Sequence, residues 1–296
     1  MKLNPKVPLF ALVFYPLLGL IALLTLYPFL MVLAASFTQE KELVIHGARL
    51  VPRAVSLDAY GLLFERGAAV LNSYKITIAV TVIGTVLSMV LTTTASYALS
   101  IRRLRYRNVI AFLIYFTMLF NGGMIPWYIL IVRTLQLKNT LWAMILPMAV
   151  SPFYVFLMRS YFHELPESLR ESAQIDGAGE WTTWLRIFVP LSTPVVATVA
   201  LFYALAYWND WYHALFFVDV SRLEPLQFHL YRILSSIQYL QSTTSQYGSV
   251  AAGRVFLPTT GVKFATTVVT IGPIILVYPF VQRYFVKGIM IGAIKG

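Results

Sequence analysis

The 296-residue chain is 58% hydrophobic and only 12% charged, with a mean hydropathy of +0.72 and a formal net charge of +11. Soluble domains carry about a quarter charged residues, so an ordinary soluble protein is excluded and a membrane protein is expected. Cysteine is absent, which excludes disulfides and thiolate metal sites.

A helix crossing about 30 Å of hydrocarbon needs roughly 20 mostly apolar residues. Six stretches of that kind contain no Asp, Glu, Lys or Arg: 7–39, 76–100, 108–132, 139–158, 187–209 and 264–282. They are too long and too evenly apolar for the strands of a β-barrel, each about ten residues. An all-α membrane protein with six transmembrane helices is therefore expected, one membrane domain filling 1–296. The first stretch follows Lys2 and Lys6 and contains Ala34-Ala35-Ser36, which resembles a signal peptide in outline. Its apolar run far exceeds the 7 to 15 residues of such a segment, so it is read as a retained first helix.

Next comes a loop over 40–75, expected outside, with Pro52, Asp58 and an amphipathic Tyr60-Gly61-Leu62-Leu63-Phe64 that predicts a short helix at the surface. In the second span Gly84, Ser88, Thr92 and Ser96 recur every four residues, a small-residue face that lets another helix approach closely in lipid. Arg102, Arg103, Arg105 and Arg107 crowd the short loop that follows, where the positive-inside rule expects cytoplasm. This sets both termini inside and explains the net charge without nucleic acid. On that topology 12 basic residues lie inside and 23 − 12 = 11 outside, the latter mostly in long loops that the rule discounts. Pro16, Pro28, Pro126, Pro147, Pro152, Pro194, Pro273 and Pro279 fall within spans and favour kinks.

The loop over 159–190 is expected in the cytoplasm. Pro166 and Glu167 favour helix initiation, and Gly177 favours a stop after about Asp176. Leu169, Ser172, Ala173 and Asp176 fall at i, i+3, i+4 and i+7, one shallow face suited to docking in a groove, with Glu171 flanking it. Trp181, Trp184, Leu185 and Phe188 share a second face, expected at the lipid interface. Beyond the fifth span, the outer loop over 219–263 carries Pro225, a predicted helix from Gln227 to Tyr239 and a polar stretch from Gln241 to Gly248.

Glu171-Ser172-Ala173, Gly177, Ile187 and Val189-Pro190 resemble the loop signature of membrane subunits of binding-protein-dependent ABC importers, with Ser172 and Val189 as small departures. Asp176-Gly177-Ala178 is similar to its carbohydrate-importer version. Trp208-Asn209-Asp210 looks like the Trp-Asn-acidic element of these subunits. The runs 282–288 and 292–296 are similar to the C-terminus of the subunit related to the second maltose-importer permease, and Asn121-Gly122-Gly123-Met124-Ile125-Pro126 resembles a subgroup that handles larger oligosaccharides. The resemblance implies a type I importer permease fold in a bacterial inner membrane. It also implies a homologous permease as heterodimer partner, two cytoplasmic ATPases and an external binding protein. Glu171, Ser172, Ala173, Asp176, Gly177 and Ala178 then dock the ATPase.

No G-x-x-x-x-G-K-[ST] phosphate loop occurs, so ATP and magnesium are expected on partner subunits and no cofactor on this chain. His46, His163, His213 and His229 show no metal spacing, and no nucleophile elbow is present, which disfavours an enzyme. His213, three residues after Asp210, is expected to make a local polar contact. The rival reading, an ion-gradient-driven secondary transporter or channel, lacks the central ionisable residues that such proteins use. Asp210 comes closest, as an outer gate or an interfacial cap. Trp208, Asn209, Asp210, Trp211 and Tyr212 form a candidate pathway whose aromatics stack on sugar rings or belong to an interfacial belt. The outer side nets 11 − 7 = +4 against its acids, which fits anionic oligosaccharides such as alginate or pectin fragments, and equally an acidic binding protein.

Overall fold

The computed structural model describes residues 9–64, 67–247, 260–273 and 275, and among these it is helical, with one isolated bridge between Thr38 and Val55 in place of any strand. The motifs at 282–288 and 292–296 lie outside the described residues, as do residues 274 and 276–282 of the sixth predicted span.

One compact unit holds the described residues up to Ala68 with those of 233–273. Its first helix, α1 (Leu9–Ser36), keeps Pro16 and Pro28 inside without breaking. Residues 13–30 are exposed all round, the pattern of a helix whose solvent is lipid or another chain. Two short helices follow, α2 (Glu40–His46) and α3 (Asp58–Phe64), the latter covering the predicted surface helix. Tyr60 donates to Ser36 Oγ at 2.8 Å. The Glu40 carboxylate accepts the backbone N–H groups of Thr260 and Gly261 at 2.9 and 2.7 Å, at the start of the helix over 260–273. A negative charge there satisfies otherwise orphaned donors and complements the helix dipole.

The second unit is built on Ala69–Arg232. It contains α4 (Gly67–Ser100), α5 (Arg107–Leu119), α6 (Met124–Ile129), α7 (Trp142–Ile145), α8 (Pro152–Glu164), α9 (Glu167–Ile175), α10 (Glu180–Thr183), α11 (Val189–Leu191), α12 (Thr193–Trp208) and α13 (Tyr212–Phe217), and α14 (Leu226–Tyr247) begins in it. α14 overruns the predicted Gln227–Tyr239 by about two turns.

Three expected spans are not straight. The chain bends by 113° between Arg107–Leu119 and Met124–Thr134, by 51° between Trp142–Met148 and Pro152–Glu164, and by 88° between Glu180–Leu191 and Thr193–Trp208. Each bend has a local cause. At the first, Phe120 is extended, Gly123 takes φ +87°, and Asn121 Oδ1 accepts the Gly123 N–H at 2.8 Å in an Asx turn. At the second, Ser151 is extended because Pro152 follows it. At the third, Pro194 denies the ladder a donor, and the turn at Ser192 sends 180–191 sideways. Asp210, just beyond the end of α12, therefore stands about 25 Å from Thr193 along the helix direction.

The small-residue face of α4 meets α12, as its spacing requires. A Cβ on Gly84 would lie 2.6 Å from Tyr207 Cζ, so only glycine admits the ring. Tyr207 donates to the Ile145 carbonyl at 3.0 Å and lies 3.0 Å from Ser88 Oγ. Tyr203 accepts the Ser151 N–H at 2.9 Å and lies 2.7 Å from Thr92 Oγ1. Ser96 Oγ reaches the Val155 carbonyl at 2.9 Å. The break between α7 and α8 frees backbone groups that would each cost several kcal/mol in hydrocarbon, and the two tyrosines satisfy them. Tyr203 and Tyr207 thereby tie α4, α8 and α12 into one body.

Candidate functional site

Within the second unit, α4 carries the loops at its two ends. Near its start Thr77 Oγ1 accepts the Leu226 N–H at 2.7 Å, and Asn72 donates to the Arg222 carbonyl at 2.8 Å. Twenty residues further, Tyr97 donates to Glu180 Oε2 at 2.5 Å, and Arg103 comes within 4.0 Å of Glu171. Thr77 and Tyr97 are about 30 Å apart at 1.5 Å per residue, the thickness of a hydrocarbon core. The loops of 219–226 and 165–184 thus meet α4 a membrane's width apart.

The α9 helix is short and ends as glycine chemistry dictates. Gly177 has φ +79°, its N–H reaches the Gln174 carbonyl at 3.1 Å, and the Ala178 N–H reaches the Ala173 carbonyl at 2.8 Å. Those two bonds form a Schellman cap, which satisfies the last carbonyls of the helix.

What holds α9 in place is a residue that the helical spacing does not single out. Glu180 accepts Arg170 Nη2 at 2.5 Å, Arg170 Nε at 3.3 Å, Gln174 Nε2 at 3.0 Å and the Tyr97 hydroxyl. The guanidinium of Arg170 holds the Glu180 carboxyl below the usual carboxylate range, with Tyr97 and Gln174 adding to the effect. In return the hydrogen bond to Glu180 raises the pKa of Arg170. One carboxylate so joins α9, the start of α10 and the end of α4.

With the clamp formed, part of the expected docking face is covered by the chain itself. Arg170 and Ala173 turn toward the chain, leaving Ala173 only 5% exposed and Leu169 half-buried, while the exposed Gln174 reaches Glu180 from the rim of that side. The outward face is instead Ser168, Glu171, Ser172 and Ile175, again at i, i+3, i+4 and i+7, with Asp176 beside it. Ile175 is 85% exposed and the Glu171 side chain 57% exposed. Glu171, Ser172 and Asp176 remain accessible, Ala178 is half-buried, and Ala173 is a packing residue. The second expected face also divides. A π-helical turn over Trp184–Phe188 shifts the register, so Trp184 and Phe188 enter the core against Tyr97 and Phe162 while Trp181 and Leu185 stay exposed.

At the far end of α12 the candidate pathway residues are drawn into an aromatic cluster. Tyr212 stacks on Trp127 at 6.2 Å and donates to Met124 Sδ at 3.7 Å, while Trp211 stacks on Tyr231 at 4.6 Å. His213 Nδ1 lies 2.8 Å from Asp210 Oδ1, the local contact expected, with the Asp210 side chain 8% exposed. Asn209 donates to the Leu205 carbonyl at 2.8 Å and accepts from Gln227 at 3.4 Å, and Trp208 is half-buried. The segment of Asn121–Pro126 and that of Trp208–Tyr212 are therefore neighbours in space, about 85 residues apart in sequence.

Residues 84–291 match the family of the binding-protein-dependent transport system inner membrane component. Protein LplC of Bacillus subtilis (strain 168) is 42% identical, the alignment covering 94% of this chain and 92% of LplC. The polygalacturonan/rhamnogalacturonan transport system permease protein YtcP of the same strain is 40% identical over 97% of this chain and 99% of its own. Among solved structures, a chain of a bacterial ABC transporter involved in the import of the acidic polysaccharide alginate superposes with a TM-score of 0.78 at 32% identity, covering 93% of this chain and 96% of that one. The chain belongs to this permease family and has the type I ABC permease fold of that neighbour. Membership sets aside the gradient-driven alternative. In this family ATP is hydrolysed on separate subunits.

Proposed function

We propose that this permease carries oligosaccharides inward, forming the pathway with a homologous permease and driven by two ATPases that dock on α9 from the cytoplasm. On this reading six spans cross the inner membrane of a bacterium with both termini in the cytoplasm, 159–190 is the coupling loop, 40–75 and 219–263 face an external binding protein, and this chain carries no cofactor. The observation that carries the reading is the Glu180 clamp. A push on the exposed face of Ser168, Glu171, Ser172 and Ile175 passes through Arg170 and Gln174 to Glu180 and into Tyr97 of α4. Because Tyr203 and Tyr207 bind α4, α8 and α12 together, that body moves as a unit. Closure of the ATPase dimer then draws two such bodies together and opens the membrane cavity outward.

For substrate we favour acidic oligosaccharides. Two of the similar proteins are named for polygalacturonan and alginate transport, and the outer side of this chain is net basic. Trp208, Asn209, Asp210, Trp211 and Tyr212 are proposed to line the outer route. Uptake by the complete complex in proteoliposomes, with ATP and binding protein and a panel of neutral and uronate oligosaccharides, tests this. Uptake by this chain alone under an imposed proton or sodium gradient would sink the importer reading, and a preference for neutral sugars would sink the substrate class. Glu171→Lys is expected to block ATPase coupling while the subunit stays in the membrane. Normal co-purification and transport by that variant refute the docking assignment.

A further inference from the structure

Away from the coupling loop, α5 and α8 flank an apolar groove of about 540 Å3, walled by Ala111, Phe112, Tyr115 and Met118 on one side and Phe153 and Phe156 on the other. No residue of α5 is buried by the chain itself. Asn108 lies at the foot of the groove, Arg107 precedes it at the start of α5, and Arg159 follows Phe156 by about one turn on α8. The Arg159 guanidinium sits 5.9 Å from the centre of the Phe156 ring, which is part of the wall, and it feels the like charge of Arg107. Among the described residues neither arginine is in an ion pair. Two guanidiniums at the same end of the groove, neither paired with a carboxylate among the described residues, offer a site for an anion, and phosphate oxygens match their donors.

The groove's length says which anion. Asn108 to Met118 spans ten residues, about 15 Å, which is half of a 30 Å hydrocarbon core and so the depth of one leaflet. A transmembrane helix of a partner would need the full depth. An aromatic and aliphatic wall with one amide and one phenol hydroxyl offers a sugar few hydrogen bonds, whereas it suits a hydrocarbon chain.

We propose that Arg107, Arg159 and the groove above them bind one anionic phospholipid, its phosphate between the two guanidiniums and one acyl chain along Phe112, Tyr115 and Phe156. The proposal rests on the chain's spanning a bilayer but not on which end faces the cytoplasm. A basic foot beneath an apolar slot between helices is the arrangement that recognises acidic lipid headgroups.

Native mass spectrometry of the intact transport complex, purified in detergent and offered phosphatidylglycerol or phosphatidylcholine with identical acyl chains, provides the test. Phosphatidylglycerol should be retained at one per copy of this chain and phosphatidylcholine should not. The double variant Arg107→Gln/Arg159→Gln should lose about thirtyfold in affinity, two interfacial charges' worth. Arg107→Lys/Arg159→Lys should keep most of the binding. Ala111→Trp fills the slot, leaves the charges intact and should also release the lipid. Equal retention of both lipids, or retention unchanged in the glutamine pair, overturns the site. Displacement of the lipid by millimolar inorganic phosphate alone, with Ala111→Trp still binding it, reduces the site to a bare anion contact. Disulfide trapping of Phe112→Cys to a cysteine series on the partner permease would instead show that a helix fills the groove.

Discussion

Removing the Glu180 carboxylate is the sharpest test of how α9 is coupled. Glu180→Ala deletes four hydrogen bonds at once, from Tyr97, from Gln174 and two from Arg170. Bonds to a charged acceptor are worth about 1.5–3 kcal/mol each when shielded, and exposed ion pairs 0.2–1 kcal/mol. The Glu180 side chain is 45% exposed and Arg170 16%, so water replaces part of what is lost. A net cost of about 2–3 kcal/mol is the reasonable sum, and at 1.4 kcal/mol per tenfold it lowers the ratio of clamped to released loop by a factor of about 30 to 140. The purified complex should assemble normally and keep its basal ATPase rate, while substrate-stimulated hydrolysis and uptake in proteoliposomes fall at least about tenfold. Glu180→Gln retains one acceptor but leaves Arg170 unbalanced, and should fall between. A double-mutant cycle of Tyr97→Phe with Glu180→Gln should be non-additive, whereas Tyr203→Phe with Glu180→Gln should add, since only the first pair is in contact. Wild-type uptake by Glu180→Ala would show that the carboxylate transmits nothing.

Three other outcomes follow from particular atoms. Gly84→Ala brings a Cβ to within 2.6 Å of the Tyr207 ring, a ring pinned by Ser88 and Ile145. Overpacking at about 1–3 kcal/mol should outweigh the roughly 1 kcal/mol gained in helix propensity, and a lower unfolding temperature for Gly84→Ala but not for Gly19→Ala, where an added Cβ meets nothing within 4 Å, would bear this out. Gly177→Val should uncouple stimulated ATPase activity from substrate binding while Gly177→Asn does not, because the space around Gly177 is open and only its φ of +79° excludes a β-branched residue; equal activity of the two variants contradicts the helix-stop account. Since the Glu180 carboxyl titrates below its ordinary range, its contribution is complete above the unfolded-state pKa and is lost only as pH falls through the lowered folded value. Coupling should therefore hold through mildly acidic pH in the wild type, and a loss of coupling near pH 6 in the wild type but not in Glu180→Gln contradicts this.

The parts of this molecule that were legible in the sequence are those governed by neighbours a few residues away. The α4 face of Gly84, Ser88, Thr92 and Ser96 found its partner helix, and Gly177 took the conformation that a helix stop needs. Glu180 was not legible, because its two strongest partners lie 10 and 83 residues away and only the fold brings Tyr97 to Arg170. The same distance hid which side of α9 faces outward. Helical spacing groups Leu169, Ala173 and Asp176, but it does not say that Arg170 will be recruited inward by Glu180 and carry Ala173 with it. Hydropathy likewise measures whether a stretch avoids water and is indifferent to direction, so 108–132 scored as one span although the Asx turn at Asn121 turns it through 113°. The polar atoms inside apolar stretches were the better guide to such breaks. Tyr203 and Tyr207 stand one turn apart in an otherwise apolar helix, and buried hydroxyls in lipid must find partners. They found the Ser151 amide and the Ile145 carbonyl, backbone groups exposed where α7 ends and Pro152 restarts the helix. A hydroxyl at helical spacing on one segment can thus signal a broken backbone on another, and that correlation ties proline placement in 139–158 to tyrosine placement in 187–209.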